Sequence, residues 1–265
     1  MSDDGEPTTV NCSCATFAIV PNPTPRRLPG LTRASGLMTH PFDEANGVRT
    51  SGLVAGRHLK SGHTHDRHAT AYYGVAPSVL HRLMQRWQKT KPSAPIRDFT
   101  FVDIGAGMGR AVLLAAEMQF LKVTGVELNS TLARIARRNL RHWRASGRVH
   151  AQAHIRCCDA AQFPLPSGPI LLFLFNPFGP TVMRRFLKHV AANLAARPRP
   201  VDLLYVNNEQ EGVLETQPGF VRLFHGQIAR SRADAIADHA ILANQPDGEY
   251  ASSNYEDCSI WRWAG

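Results

Sequence analysis

Apolar and polar residues follow each other in blocks along this chain, and the spacing of the apolar positions switches between two and about 3.6. Phe101-Val102-Asp103-Ile104 is a short apolar run carrying one acid, and it leads into Gly105-Ala106-Gly107-Met108-Gly109-Arg110. Val112, Leu113 and Ala116 then form a stripe at helical spacing. Residues 122–127 predict a second strand that ends in Glu127. Beyond it Leu132, Ile135, Ala136, Leu140 and Trp143 share one helical face, while Arg134, Arg137, Arg138, Arg141 and Arg144 fall on the other. Strands are expected over 149–157, 170–175, 201–206, 220–228 and 258–263, and a helix over 181–194 with Met183, Phe186, Leu187, Val190 and Leu194 aligned. Residues 231–241 read either as a short helix or as a loop with a helical turn.

Upstream, a helix from Pro77 puts Val79, Leu80, Leu83 and Trp87 on one face, with proline at a favourable first position. Lys91-Pro92-Ser93-Ala94-Pro95 breaks the chain before the first strand. Residues 1–40 are rich in Pro, Thr, Ser and Gly without periodicity, which predicts a flexible tail. Residues 41–95 form an N-terminal lid and helical segment, the part up to 75 being rich in His and Gly. Residues 96–265 are the main domain, and no internal repeat is present.

Strands alternating with helices imply an α/β fold, a parallel sheet covered on both faces. The last two strands have little predicted helix between them, which suits an antiparallel pair at one edge. In such open sheets ligands bind at the carboxyl ends of the strands. Four of those ends can be read directly: Asp103 with the glycine turn, Glu127, Asp159, and Asn176-Pro177-Phe178-Gly179.

Composition narrows this only partly. The 265 residues are 43% hydrophobic, carry a formal charge of +9 and have a pI near 9.8. That charge attracts nucleic acid, acidic protein tails or anionic metabolites without choosing among them. The arginine face reads as a solvated helix face ahead of a nucleic-acid groove. Five cysteines, among them Cys12, Cys14, Cys157 and Cys158, show no zinc spacing and suit a reduced, cytoplasmic compartment. The acidic N-terminus lacks a signal-peptide core, and the apolar run at 170–175 is too short to span a bilayer, so no membrane partner is expected.

The glycine spacing carries the strongest signal. A dinucleotide fingerprint, G-x-G-x-x-G, would need glycine at 110, where Arg110 stands. The pattern is instead D-x-G-x-G-x-G, and Glu127 follows Gly109 by 18 residues. This combination resembles motif I and the following acid of class I S-adenosylmethionine (SAM)-dependent methyltransferases. The resemblance implies a Rossmann-like seven-stranded, mostly parallel sheet with helices on both faces and an antiparallel C-terminal edge hairpin, with 96–265 as the methyltransferase domain. It implies SAM as cofactor, with Asp103, Gly105, Ala106 and Gly107 around its methionine part and Glu127 on the ribose, next to Leu128. Asp159, beside Ala160, would accept from the adenine amino group. Its alternative reading is a cap or turn aspartate. Gly109 is expected to serve close packing.

Asn176-Pro177-Phe178 resembles the N-P-P-Y type motif of amine- and amide-directed methyltransferases, shortened by one proline. It is also similar to the strand-four loop of non-SET (seven-β-strand) protein-lysine methyltransferases. In that role Asn176 lies beside the cofactor and orients the amine, and Phe178 stabilises the cation formed. Alternatively Pro177 and Gly179 merely end a strand, with Phe178 in the core. Tyr73, in Tyr72-Tyr73-Gly74, is similar to a segment that folds over the cofactor in the same lysine methyltransferases, or is an ordinary surface tyrosine. His63, His65 and His68 flank Asp66 at a spacing that fits no standard metal site, and read as a polar loop near the entrance, with a general base for a hydroxyl acceptor as the alternative. The leading expectation is N-methylation of a protein lysine. The alternatives are small-molecule N- or O-methylation, nucleic-acid methylation, and SAM binding without catalysis.

Overall fold

The computed structural model describes residues 39–244 and 252–265. Cys12, Cys14 and all but the last two residues of the expected tail lie outside them.

Period-two alternation divides the first strand between two cores. In β1 (Thr100–Ile104) Phe101 packs to one side, and Val102 and Ile104 to the other. The remaining strands are β2 (Lys122–Glu127), β3 (Gln152–Cys157), β4 (Ile170–Phe175), β5 (Val201–Val206), β6 (Phe220–Ala229) and β7 (Tyr255–Trp263). They lie in the order β3-β2-β1-β4-β5-β7-β6. The first five run parallel, while β7 is antiparallel to both β5 and β6. This is the Rossmann-like, seven-stranded, mostly parallel sheet with an antiparallel C-terminal edge pair that the resemblance implied.

The Phe101 side is covered by α2 (Pro77–Lys89), α3 (Arg110–Ala116) and α4 (Ser130–Ala145). Leu80, Leu83 and Trp87 of α2 are fully buried there beside Phe99, and each such side chain contributes about 1.5–3 kcal/mol. The opposite side is covered by α5 (Pro180–Ala196) through Met183, Phe186, Leu187 and Val190. None of the described helices is long and apolar enough to cross a membrane.

The start of the third strand departs from the periodicity reading, and the open reading of 231–241 is decided. The third strand starts at Gln152 because the N–H groups of His150 and Ala151 both donate to the Ala116 carbonyl at the end of α3, 2.8 and 3.2 Å away, and not to β2. Of the two readings of 231–241 the helix holds: α6 (Arg232–Ala243), ending two residues later than expected, is capped by Ser231, which accepts from the Asp234 N–H at 3.1 Å. β7 therefore inserts between β5 and β6 after a helix, and β6 is the edge strand.

The segment ahead of β1 is fastened by one buried arginine. A short helix, α1 (Pro41–Asn46), presents Asp43, whose carboxylate accepts from the N–H and hydroxyl of both Thr50 and Ser51 at 2.5–2.7 Å. Arg110 donates to the Thr50 hydroxyl (2.7 Å), the Ser51 hydroxyl (3.2 Å) and the Gly74 carbonyl (3.0 Å). Its guanidinium also lies 3.9 Å from Asp43 and over the Phe42 ring. Asn139 of α4 adds a second tie, donating to the Arg49 carbonyl at 2.7 Å and to the Met108 carbonyl at 2.9 Å.

Candidate active site

The carboxyl ends of β1, β2 and β4, together with residues from the 59–75 segment, enclose about 990 Å3 of space that is partly open to solvent. Asp103, Gly105, Ala106, Gly107, Glu127, Leu128, Asp159, Ala160, Pro177, Phe178 and Tyr73 all line it. Asn176 is the one sequence-predicted site residue that does not.

The glycine turn is shaped by close neighbours. Gly107 has φ of 53°, and a Cβ built there would come within 2.1 Å of Tyr72 Cε2. Gly105 has φ of 77°, and its Cβ would meet the Pro177 ring at 2.4 Å. Both positions thus require glycine for conformation and for space. Gly109 faces Ala136 of α4, in keeping with a packing role.

Two carboxylates stand over this turn. Glu127 Oε2 accepts from the Gly107 N–H and Oε1 from the Asn129 N–H, each at 2.7 Å. Burial pushes its carboxyl up, while these N–H groups and that of Leu128 oppose the shift. Each oxygen keeps a further lone pair for a hydroxyl donor. Asp103 is different. It is 3% exposed, borders the cavity, and accepts no hydrogen bond from any described residue. Burial, and then the neighbouring Glu127, push its carboxyl up to about 8. A buried carboxylate without a donor is costly, and a cationic ligand would relieve it.

The loop after β4 is placed differently from its reading as an amine-orienting group. Asn176 adopts φ of 39° and is buried. Its side-chain oxygen faces the Tyr205 hydroxyl at 3.4 Å, and its carbonyl accepts from the Thr70 hydroxyl. Both of its acceptors are therefore turned to protein groups. Pro177 packs on Gly105, and Phe178 lines the cavity while meeting the Phe186 ring at 6.0 Å. Phe178 also pairs with Ala69 through an isolated bridge, and the Gly179 N–H donates to the His68 carbonyl at 2.9 Å.

The tyrosine that folds over the glycine turn is Tyr72. Its hydroxyl donates to the Thr50 carbonyl at 2.7 Å, and its backbone pairs with Val54. Tyr73 also lines the cavity, but its hydroxyl donates to the fully buried Asp238 of α6 at 2.6 Å. Burial and Asp238 both raise the Tyr73 pKa, so it remains a phenol.

The histidine loop meets Asp159. Arg185 donates to His65 Nε2 at 2.7 Å, so the ring proton sits on Nδ1 and faces Asp159 Oδ1 at 3.3 Å. Asp159 also caps the turn at Ala160–Gln162, accepting from the Ala161 N–H at 3.0 Å. The cap reading of Asp159 and its place on the cavity wall therefore coexist. His63 comes within 4.8 Å of this pair, giving a His-His-Asp group. The Arg185 guanidinium on His65 fits a proton-bridged contact better than a cation site. His68 instead accepts from Arg67 Nε at 3.2 Å, and Asp66 is held by Ser61 and Gly62.

Three features of the site escaped the sequence: Tyr72 as the covering ring, Arg110 as the fastener, and His65 as the partner of Asp159. The adjacent tyrosines and the arginine in place of a third glycine were visible in the sequence. Their partners are far away along the chain, and no local pattern records them.

No family model matches this chain, and no curated protein matches it. Similar solved structures include TrmN from Thermus thermophilus, at 17% identity over 71% of this chain and 49% of that one, with a TM-score of 0.45. The geranyl diphosphate C-methyltransferase from Streptomyces coelicolor A3(2) is 14% identical over 70% of this chain and 76% of that one, with a TM-score of 0.42. The [4+2]-cyclase SpnF is 14% identical over 69% and 80%, with a TM-score of 0.47. This chain spans about half the length of TrmN.

Proposed function

We propose that this protein is a SAM-dependent methyltransferase acting on a nitrogen acceptor. The observation that carries the reading is Asp103, a buried carboxylate without a donor at the end of β1, facing the same cavity as Glu127. SAM supplies a methyl group on a sulfonium, and transfer needs the acceptor's lone pair in line with it. The residues present fit such a ligand. Asp103 holds the α-ammonium of the methionine part, and Glu127 accepts from the ribose hydroxyls with its remaining lone pairs. Asp159, where its cap bond leaves room, accepts from the adenine amino group. Gly105 and Gly107 let the backbone approach, and Leu128 and Ala160 supply apolar wall.

On the acceptor side, Tyr73, Phe175, Pro177 and Phe178 give the cavity an apolar and aromatic wall. Such a wall excludes water and favours the ammonium that N-methylation creates. Asn176 acts here through position: its backbone sets Pro177 against Gly105. A protein lysine is the acceptor we favour, because a slender alkyl amine suits a ring-lined opening.

Calorimetric titration with SAM tests the donor, with binding expected for the native protein and lost in Asp103→Ala. Equal affinity in a folded Asp103→Ala protein would remove the assignment. Labelled SAM incubated with fractionated cell extract tests the acceptor. Label in protein supports lysine, label in metabolites or nucleic acid moves the acceptor there, and SAM binding without any transfer supports a non-catalytic protein.

A further inference from the structure

The positive charge of this protein is concentrated in one unit. Between Glu127 and Asp159 there is no acidic residue and no lysine, but there are seven arginines. This α4–β3 unit alone carries +7 of the formal +9. β3 is also an edge strand, so the unit forms one flank of the molecule.

The seven arginines divide by what they touch. Arg137 and Arg144 of α4 donate to the β3 carbonyls of Ile155 and Ala153 and so tie helix to strand. Arg148 pairs with Glu117. Arg134, Arg138, Arg141 and Arg156 are exposed and make no ion pair or hydrogen bond with any described residue. Arg134, Arg138 and Arg141 share one helical face and span about 10.5 Å along it. Over that length a single nucleic-acid strand carries about three phosphates. Cations also crowd the neighbouring strand: burial first, then Lys122, Arg156 and Arg144, hold the His154 pKa down at about 4.

We propose that the flank formed by α4 and β3 is a docking surface for a nucleic-acid strand, gripped at its phosphates by Arg134, Arg138, Arg141 and Arg156. The same unit also walls the cavity through Leu132 of α4 and Cys158, just after β3. Arg134, two residues beyond Leu132, is turned to the opposite, exposed side of the helix. The composition of the flank favours this partner over other polyanions. Guanidinium planes stack on bases as well as binding phosphate, which an acidic peptide does not use. A membrane surface would call for large apolar side chains among the exposed positions of α4, and none of those positions carries one. The inference stands apart from the donor assignment, because docking needs no SAM.

The test is fluorescence anisotropy of a labelled single strand of about 20 nucleotides, as RNA and as DNA, titrated without SAM over a range of salt. A combined Arg134→Gln, Arg138→Gln, Arg141→Gln protein is compared with a charge-matched control in which the exposed Lys89, Arg97 and Arg232 become Gln. Removing three phosphate contacts should lower the slope of log K against log salt by about 2, and weaken binding about 100-fold at roughly 0.1 M salt. The control should bind like the native protein. Binding of either strand with that behaviour supports the surface. No binding by the native protein, equal binding of polyglutamate, or equal losses in the control and the triple variant would overturn it. Circular dichroism and thermal unfolding of the triple variant report its folding without SAM, which keeps the two assignments separable.

Discussion

Tyr72 lies so close over Gly107 that a Cβ at that glycine would sit 2.1 Å from the tyrosine ring. The pair couples the segment ahead of β1 to the turn that would hold the cofactor. Gly107→Ala adds a side chain at φ of 53° and must also push the ring aside. A double-mutant cycle with Tyr72→Ala should therefore be strongly non-additive. The tyrosine truncation should recover about 1 kcal/mol or more of the stability lost at Gly107. Chemical denaturation of the four proteins measures this, and simple additivity would contradict the contact.

Asp103 makes stability depend on pH with a definite sign. Its carboxyl titrates near 3.8 in an open chain and at about 8 in the folded protein, mainly through burial. Between those values the folded state binds the extra proton. Its contribution is thus complete below about pH 4 and is lost as pH rises through about 8. Urea denaturation of the ligand-free protein should show this fall, and Asp103→Asn should flatten it. SAM bound there would favour the charged carboxylate. Calorimetry near pH 7 in buffers of different ionisation enthalpy should then record net proton release, which Asp103→Asn abolishes.

Arg110→Ala should be among the most destabilising single changes. It leaves the Asp43 carboxylate buried without its cation and breaks the links to Thr50, Ser51 and Gly74. Breaking a buried pair from one side costs about 3–5 kcal/mol. Arg110→Lys should recover only part, because one ammonium cannot reach three separate acceptors. Denaturation midpoints give the energies, and limited proteolysis should show earlier cleavage between residues 50 and 75.

Asn176 separates two roles. If its amide oriented the acceptor, Asn176→Gly would stop methyl transfer. With the amide on Tyr205 and the backbone at φ of 39°, glycine should keep most of the activity, since it adopts that backbone freely. Asn176→Val should be worse than Asn176→Gly, through strain of about 1–2 kcal/mol at the turn. Turnover at saturating SAM, compared with thermal stability, distinguishes the two outcomes.

Much of this fold was legible because its elements are local and strongly patterned. Ile170–Phe175 and Val201–Val206 appear in the structure at their predicted bounds, as apolar runs buried in the centre of a parallel sheet must. The glycine turn, Glu127 and Asp159 converge because strand ends in such a sheet share one side. Tertiary competition was less legible. The Ala116 carbonyl takes two N–H groups from the predicted start of β3, and the weakly amphipathic stretch after β6, open between helix and loop in the sequence, is settled as helix by its packing. The direction of Asn176 was hidden for the same reason: its partners are Thr70 and Tyr205, one well before it in the chain and the other on β5.

The arginine at position 110 also sets what the crevice can admit. Where a dinucleotide-binding turn leaves a bare backbone for pyrophosphate, this protein drives a guanidinium into its own leading segment, with the Gly74 backbone seated directly on it. Thr50, Ser51 and Gly74, the partners of that guanidinium, all belong to the same leading segment. Putting the glycine of a dinucleotide fingerprint at this position would thus undo the Asp43–Thr50–Arg110 knot as well as reshape the turn.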